Sequence, residues 1–145
     1  MSSQPAAEIP GLTYVGQLKV QVAAPVDLGI AQDGRRRMVA ILGGTLEGEI
    51  GSGEVLPGGA DWQTLHDDGS VSVDAQYAIR LARGDVMTIR STGVRTESPD
   101  GSAVYFRTGI TFSAAVTRPE LNRHLFVSSG SRDGSLVSLD LYRVD

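Results

Sequence analysis

The chain has no cysteine, a single lysine and only two histidines among its 145 residues. Without a thiol there is no disulfide framework, thiolate zinc site, iron–sulfur cluster or cysteine nucleophile. His66 and His124 have no ligand-like spacing to each other or to an acid pair. That argues against a zinc or two-histidine iron site, and no metal or other cofactor is expected. Long apolar runs are missing too, since none approaches the roughly 18 residues of a spanning helix. The opening residues 1–8 carry neither a basic segment nor an apolar stretch, so no secretory signal is read and a cytoplasmic setting is expected.

Positive charge is also scarce. Lys and Arg total 13 against 17 Asp and Glu, a net charge of -4 that leaves no global footprint for nucleic acid. All the basic residues but Lys19 are arginines, suited to planar recognition of carboxylate or phosphate and equally to structural ion pairs. The run Arg35-Arg36-Arg37 reads as a solvated loop between strands rather than an anion patch.

What the chain does have is the pattern of an ordinary globular domain, 41% hydrophobic and 21% charged. Residues 1–10, small, polar and broken by Pro5 and Pro10, read as a flexible arm, and residues 11–145 as one domain. Over 12–22 the positions Leu12, Tyr14, Gly16, Leu18, Val20 and Val22 alternate with Thr13, Gln17, Lys19 and Gln21, the period of a half-buried strand. Further apolar stretches fall at 37–50, 71–81, 86–95, 103–113, 124–129 and 135–144. Asp33-Gly34, Asp68-Gly69, Arg83-Gly84, Asp100-Gly101 and Asp133-Gly134 punctuate them, four of the five being Asp-Gly, a dipeptide suited to hairpin turns. Only 26–31 and 118–123 are read as short helical pieces, the second opened by Pro119. The expected fold is all-β, a single small antiparallel barrel, with a β-sandwich as the alternative because turn spacing does not separate the two.

Three polar residues stand out as chemistry. In Val55-Leu56-Pro57-Gly58-Gly59-Ala60-Asp61-Trp62-Gln63 the glycines permit a tight turn, while Asp61 and Trp62 set an acid beside a large ring. The plain structural alternative is a bulged loop, with Asp61 capping backbone amides and Trp62 packed over the barrel mouth. Tyr77 lies in the middle of the apolar face Val71, Val73, Ala75, Tyr77, Ile79 and Leu81, so it is expected to point inward, where its phenol needs a partner. On the strand from Val86, Arg95 shares the face of Met87, Ile89 and Ser91 while Arg90 falls on the opposite one. An inward guanidinium must meet a carboxylate from the ligand or the protein, Asp61 being the obvious structural partner. Arg107 is harder to place, because the neighbouring face Val104, Phe106, Ile110 and Phe112 looks like core or a subunit contact. No phosphate loop and no serine triad is visible.

Pro57-Gly58-Gly59-Ala60-Asp61-Trp62, Ile41-Leu42-Gly43-Gly44 with Gly48 and Gly53, Asp74-Ala75-Gln76-Tyr77, Gly93 with Arg95, and Tyr105-Phe106-Arg107-Thr108 together resemble the domain-of-unknown-function family 3237. The resemblance spans about residues 11–144 and implies a barrel like that of allene oxide cyclase, with self-association. It implies no single activity. Gln76 and Ser113 stand where the family pattern usually has an arginine and an acid, and Leu121-Asn122 keeps a pair whose preceding aromatics are absent.

The leading expectation is a cofactor-independent enzyme that moves protons on a small carbonyl compound, as an isomerase, cyclase or lyase. Asp61 would be the acid/base, Tyr77 a proton donor and Arg95 the stabiliser of oxyanion charge. Trp62, Tyr14, Arg107 and Asn122 complete the expected substrate contacts. Lactone or ester hydrolysis by the same residues is the second reading, and a non-catalytic binding barrel the third. The expected partner is a small organic molecule, aromatic or carboxylate-bearing, with no nucleic acid, no membrane and a homo-oligomeric state.

Overall fold

A computed structural model describes residues 6–102 and 104–145. Among them are ten strands: β1 (Leu12–Val22), β2 (Val26–Ala31), β3 (Gly34–Glu47), β4 (Gly53–Val55), β5 (Ala60–Leu65), β6 (Val71–Leu81), β7 (Val86–Glu97), β8 (Val104–Ser113), β9 (Phe126–Asp133) and β10 (Leu136–Val144). One short helix, α1 (Pro119–Asn122), precedes β9. No helix among the described residues is long and apolar enough to cross a membrane. Residues 1–5 of the expected arm lie outside the described residues, as does residue 103 of the expected strand at 103–113.

All neighbouring strands are antiparallel, and β1 pairs with both β10 and β3, so the sheet closes on itself. A closed sheet has no long edge to protect, and the fold is a barrel, not a sandwich. β4 and β5 each pair with β3 on one side and β6 on the other, so together they fill one place in the wall. β2 continues the line of β1 along β3 and extends beyond the barrel rim, giving an eight-strand barrel with two extra strands.

Two readings of local structure change here. Residues 26–31 are a strand, not a helical piece, because they form the first arm of the hairpin turned at Asp33-Gly34. The run Arg35-Arg36-Arg37 is not a loop; it opens β3, pairing with β2 and β5 on its two sides.

The four Asp-Gly turns join β2 to β3, β5 to β6, β7 to β8 and β9 to β10. In an up-and-down barrel those are alternate connections, so all four lie at one end. Their glycines take positive φ: Gly34 131°, Gly69 86°, Gly101 72° and Gly134 59°. Arg83-Gly84 and α1 lie at the other end, where Leu121 is buried and Arg118 Nε meets Asp85 Oδ2 at 3.2 Å.

The two halves of the barrel differ in what fills them. Toward α1 the interior is Leu18, Leu46, Val55, Ile79, Leu81, Met87 and Leu141, all essentially without solvent contact. Toward the Asp-Gly turns the inward positions carry polar groups and leave space.

Candidate active site

Inward positions of β5 and β6 bring together the two residues at the centre of the site. Asp61 on β5 faces Ala75 on β6, and Tyr77 lies two residues further along the same inward face. Both line an interior cavity of about 50 Å³ with Val39, Val73, Phe106 and Val137 among the other walls. That is room for water or for the reacting end of a small molecule, far less than the roughly 300–1,000 Å³ of a drug-sized site.

Asp61 is held on both oxygens. Gln63 Nε2 donates to Oδ2 at 2.7 Å, and the Asp74 backbone N–H donates to Oδ1 at 3.1 Å. Arg37 Nε donates to Gln63 Oε1 at 2.5 Å, so the guanidinium is relayed to the carboxylate through the amide. Burial pushes the Asp61 carboxyl above its ordinary range, and the charge of Asp74 adds to that; the Gln63 and Asp74 hydrogen bonds and Arg37 oppose it. The result is an acid that is easier to protonate than a surface carboxylate.

The Tyr77 hydroxyl is buried and finds no hydrogen-bond partner among the described residues. Burial first, and the Asp61 charge second, raise its pKa far above the ordinary phenol value, so it remains a proton donor at any physiological pH. A third polar feature, absent from the residues expected at the site, is a row of hydroxyls. Ser91 Oγ donates to Thr108 Oγ1 at 2.8 Å, and Thr108 Oγ1 lies 2.5 Å from Ser128 Oγ, a buried hydroxyl chain across β7, β8 and β9. Alternation alone places all three on inward faces, which was the available signal.

The remaining expected site residues lie elsewhere. Arg95 is on the inward face of β7 but four residues, about 13 Å of strand, beyond Ser91 toward the open end. It is not beside Tyr77, and it forms no ion pair with Asp61. Its contact is Glu97, at 3.7 Å, and its Nε is buried without a partner. Trp62 is 45% exposed on the outer face, because β5 alternates Asp61 and Gln63 inward. Tyr14 is likewise outside, stacked edge-on against Tyr142 at 5.6 Å, because a bulge between Tyr14 and Gly16 resets the alternation of β1 and turns Val15 inward. Arg107 lies on the outer face over the Tyr105 ring, and Arg90 is outside in a two-point pair with Asp74.

Asn122 has a structural task. Its side chain accepts from Ala114 N at 2.8 Å and donates to Ala114 O at 3.1 Å, tying α1 to the end of β8. The loop at 56–59 interrupts the wall between β4 and β5 and is not the mouth of the barrel. A side chain at Gly59 would meet Tyr77 Cβ at 2.5 Å, so glycine there lets the loop press against the back of Tyr77. Of the face read as core or a subunit contact, Phe106, Ile110 and Phe112 are buried in the core and Val104 is exposed at the start of β8.

A small closed antiparallel barrel, cored at one end and holding a partly buried acid and a buried phenol on one cavity toward the other, defines the class. The pattern of the family described as "Protein of unknown function (DUF3237)" matches residues 10–144, and the chain belongs to that family. A UPF0311 protein of Clostridium acetobutylicum is 32% identical, the alignment covering 94% of this chain and 96% of that protein. The crystal structure of a protein of unknown function from Rhodopseudomonas palustris superposes with a TM-score of 0.89 at 29% identity, covering 96% of this chain and all (100%) of that one. A beta-barrel like protein of Acinetobacter baumannii gives 0.91 at 27% identity, covering 98% and 100%. An enzyme from Penicillium herquei has a TM-score of 0.79 at 16% identity and is like this chain in fold alone.

Proposed function

We propose that the barrel is a cofactor-independent enzyme acting on a small carbonyl compound by proton transfer, of isomerase, cyclase or lyase type. The observation that carries this reading is the Tyr77 hydroxyl, a buried donor with no partner among the described residues, facing the same cavity as a carboxyl whose raised pKa makes its ionised form a stronger base than a surface carboxylate. A buried polar group left unpaired costs about 1–3 kcal/mol, a cost a ligand carbonyl removes by accepting the hydrogen bond. In an isomerisation, Asp61 takes the proton from the carbon next to the carbonyl while Tyr77 holds the oxygen of the resulting enolate. Return of that proton to a different carbon completes the reaction with no other reactant. Gln63, fixed by Arg37, keeps the carboxylate turned toward the cavity. The reading includes a cytoplasmic setting and self-association.

Incubation with a panel of β,γ-unsaturated ketones, followed by ultraviolet absorbance of the conjugated product, tests it. Turnover that falls about 100-fold or more in Asp61→Asn and about tenfold or more in Tyr77→Phe is the expected result. Hydrolysis of lactones in place of isomerisation transfers the same pair to water activation. Tight binding of ketones returned unchanged after long incubation makes the barrel a binding module, and activity indifferent to Asp61→Asn removes the mechanism.

A further inference from the structure

Seven of the twelve arginines fall into two contrasting groups. Arg35, Arg90, Arg118 and Arg143 are each closed by an aspartate at 2.5, 3.1, 3.2 and 2.7 Å. Arg37, Arg95 and Arg132 are not. Arg37 and Arg132 spend their Nε atoms on the neutral oxygens of Gln63 and Gly134, and Arg95 has only the loose 3.7 Å contact with Glu97. These three come from strands β3, β7 and β9, far apart in sequence, yet all lie on inward faces at the end carrying the Asp-Gly turns. Arg132 itself lines the cavity. They are close enough to repel: burial first, then the charges of Arg132 and Arg95, lower the proton affinity of Arg37, with Asp61 offsetting part of this.

We propose that Arg37, Arg95 and Arg132 form an oxyanion-binding collar at the open end of the barrel, and that the molecule admitted to the cavity is a short organic acid whose carboxylate this collar holds. The substrate half of the proposal rests on the proton-transfer reading above. Three converging guanidiniums with one half-exposed carboxylate among them are stabilised by a bound anion, and their planar forks match a carboxylate. The cavity onto which the collar opens is walled by Val22, Val39, Phe106 and Val137 together with the polar side chains of Gln63, Ser91 and Thr108, a mixed lining that suits a small organic body with a polar end better than an inorganic ion. The cavity of about 50 Å³ sets the length. A carbonyl end fits inside, and the charged end stays at the rim.

Titration of isotopically labelled protein with crotonate, crotonamide and inorganic phosphate, followed by backbone amide shifts, tests the collar. Crotonate is expected to bind about tenfold or more tightly than crotonamide, to weaken about tenfold in Arg95→Gln and in Arg132→Gln, and to be unchanged in the exposed control Arg83→Gln. Crotonamide binding as well as crotonate, crotonate binding indifferent to both substitutions, or no crotonate binding at all overturns the collar. Phosphate binding as tightly as crotonate overturns the assignment to an organic acid. Asp61→Asn separates this from the catalytic reading: crotonate binding retained in that variant, with no ketone or keto acid turned over by the native protein, leaves the collar standing and removes only the catalysis.

Discussion

At the scale of single residues, Asp61 and Tyr77 are groups the fold holds against their own solvation. Asp61 binds its proton more tightly folded than unfolded, so the native state carries more protons than the unfolded one between the ordinary carboxylate value of 3.8 and its raised value. Stability contributed by this residue is therefore full below 3.8 and lost as pH rises through the raised pKa, the opposite of an ion-paired aspartate. Asp61→Asn keeps the amide oxygen as an acceptor and removes the charge, so its Tm relative to the native protein is expected to rise between pH 4 and pH 7.5 in a calorimetric series. A difference that stays constant with pH means the carboxyl is not desolvated. Tyr77→Phe deletes a hydroxyl with no protein partner, and is expected to leave chemical-denaturation stability unchanged or to raise it by about 1 kcal/mol while lowering turnover. A loss of 1 kcal/mol or more shows that the hydroxyl is paired in solution. Tyr77 was legible as an inward residue because alternation along a strand fixes which way it points, whereas Asp61 was picked out only as an acid in a glycine-rich loop, and its inward direction comes from β5, a strand that no apolar stretch marked. The partner of Asp61 was not legible, since Arg37 and Gln63 meet only through the register of β3 on β5, a pairing across 26 positions that no local pattern encodes.

At the scale of elements, glycine decides where strands touch. A side chain at Gly93 on β7 would meet Arg107 O at 2.0 Å and Thr108 Cα at 2.7 Å, whereas one at Gly109 on the facing β8 meets nothing nearer than Thr92 O at 4.0 Å. Gly93→Ala must part β7 from β8 beside the hydroxyl chain and is expected to cost about 1–3 kcal/mol or more in urea unfolding. Gly109→Ala is expected to lie within about 0.5 kcal/mol of the native protein. Equal effects would falsify the close approach. Most strands and hairpins were readable because alternation and Asp-Gly turns are local, but β4 and β5 were not, being short and set on either side of a proline-glycine loop. The segment Val26–Ala31 was misread although the turn after it was recognised: a hairpin needs a strand on each side, and this was the stretch just before it. Tyr14 was misplaced for a different reason. A bulge changes the parity of a strand without leaving a mark in its composition, and everything on the N-terminal side of it reverses face.

Across the whole molecule, the barrel assigns stability and chemistry to opposite ends. Closed-end side chains such as Ile79 pack with no solvent contact between Val55 and Met87, while Val137 lines the cavity beside Arg132, its partner on the neighbouring strand. Truncation in the closed half opens a void the surrounding sheet cannot collapse into, because strands closed into a cylinder are tied on both sides. Ile79→Ala is therefore expected to cost about 2–5 kcal/mol, on the order of 10 °C in Tm. Val137→Ala only enlarges a space already there, and about 1 kcal/mol is expected from the lost apolar burial. The two variants should diverge in the other direction for ligands: Ile79→Ala, if folded at the assay temperature, keeps crotonate affinity, whereas Val137→Ala alters it. Equal destabilisation of the two would mean that the open half is packed as tightly as the closed one, and the cavity would then be an ordinary packing defect. An unequal result, with affinity changing only at the open end, is what a barrel built as a rigid cup around a collar and an acid requires.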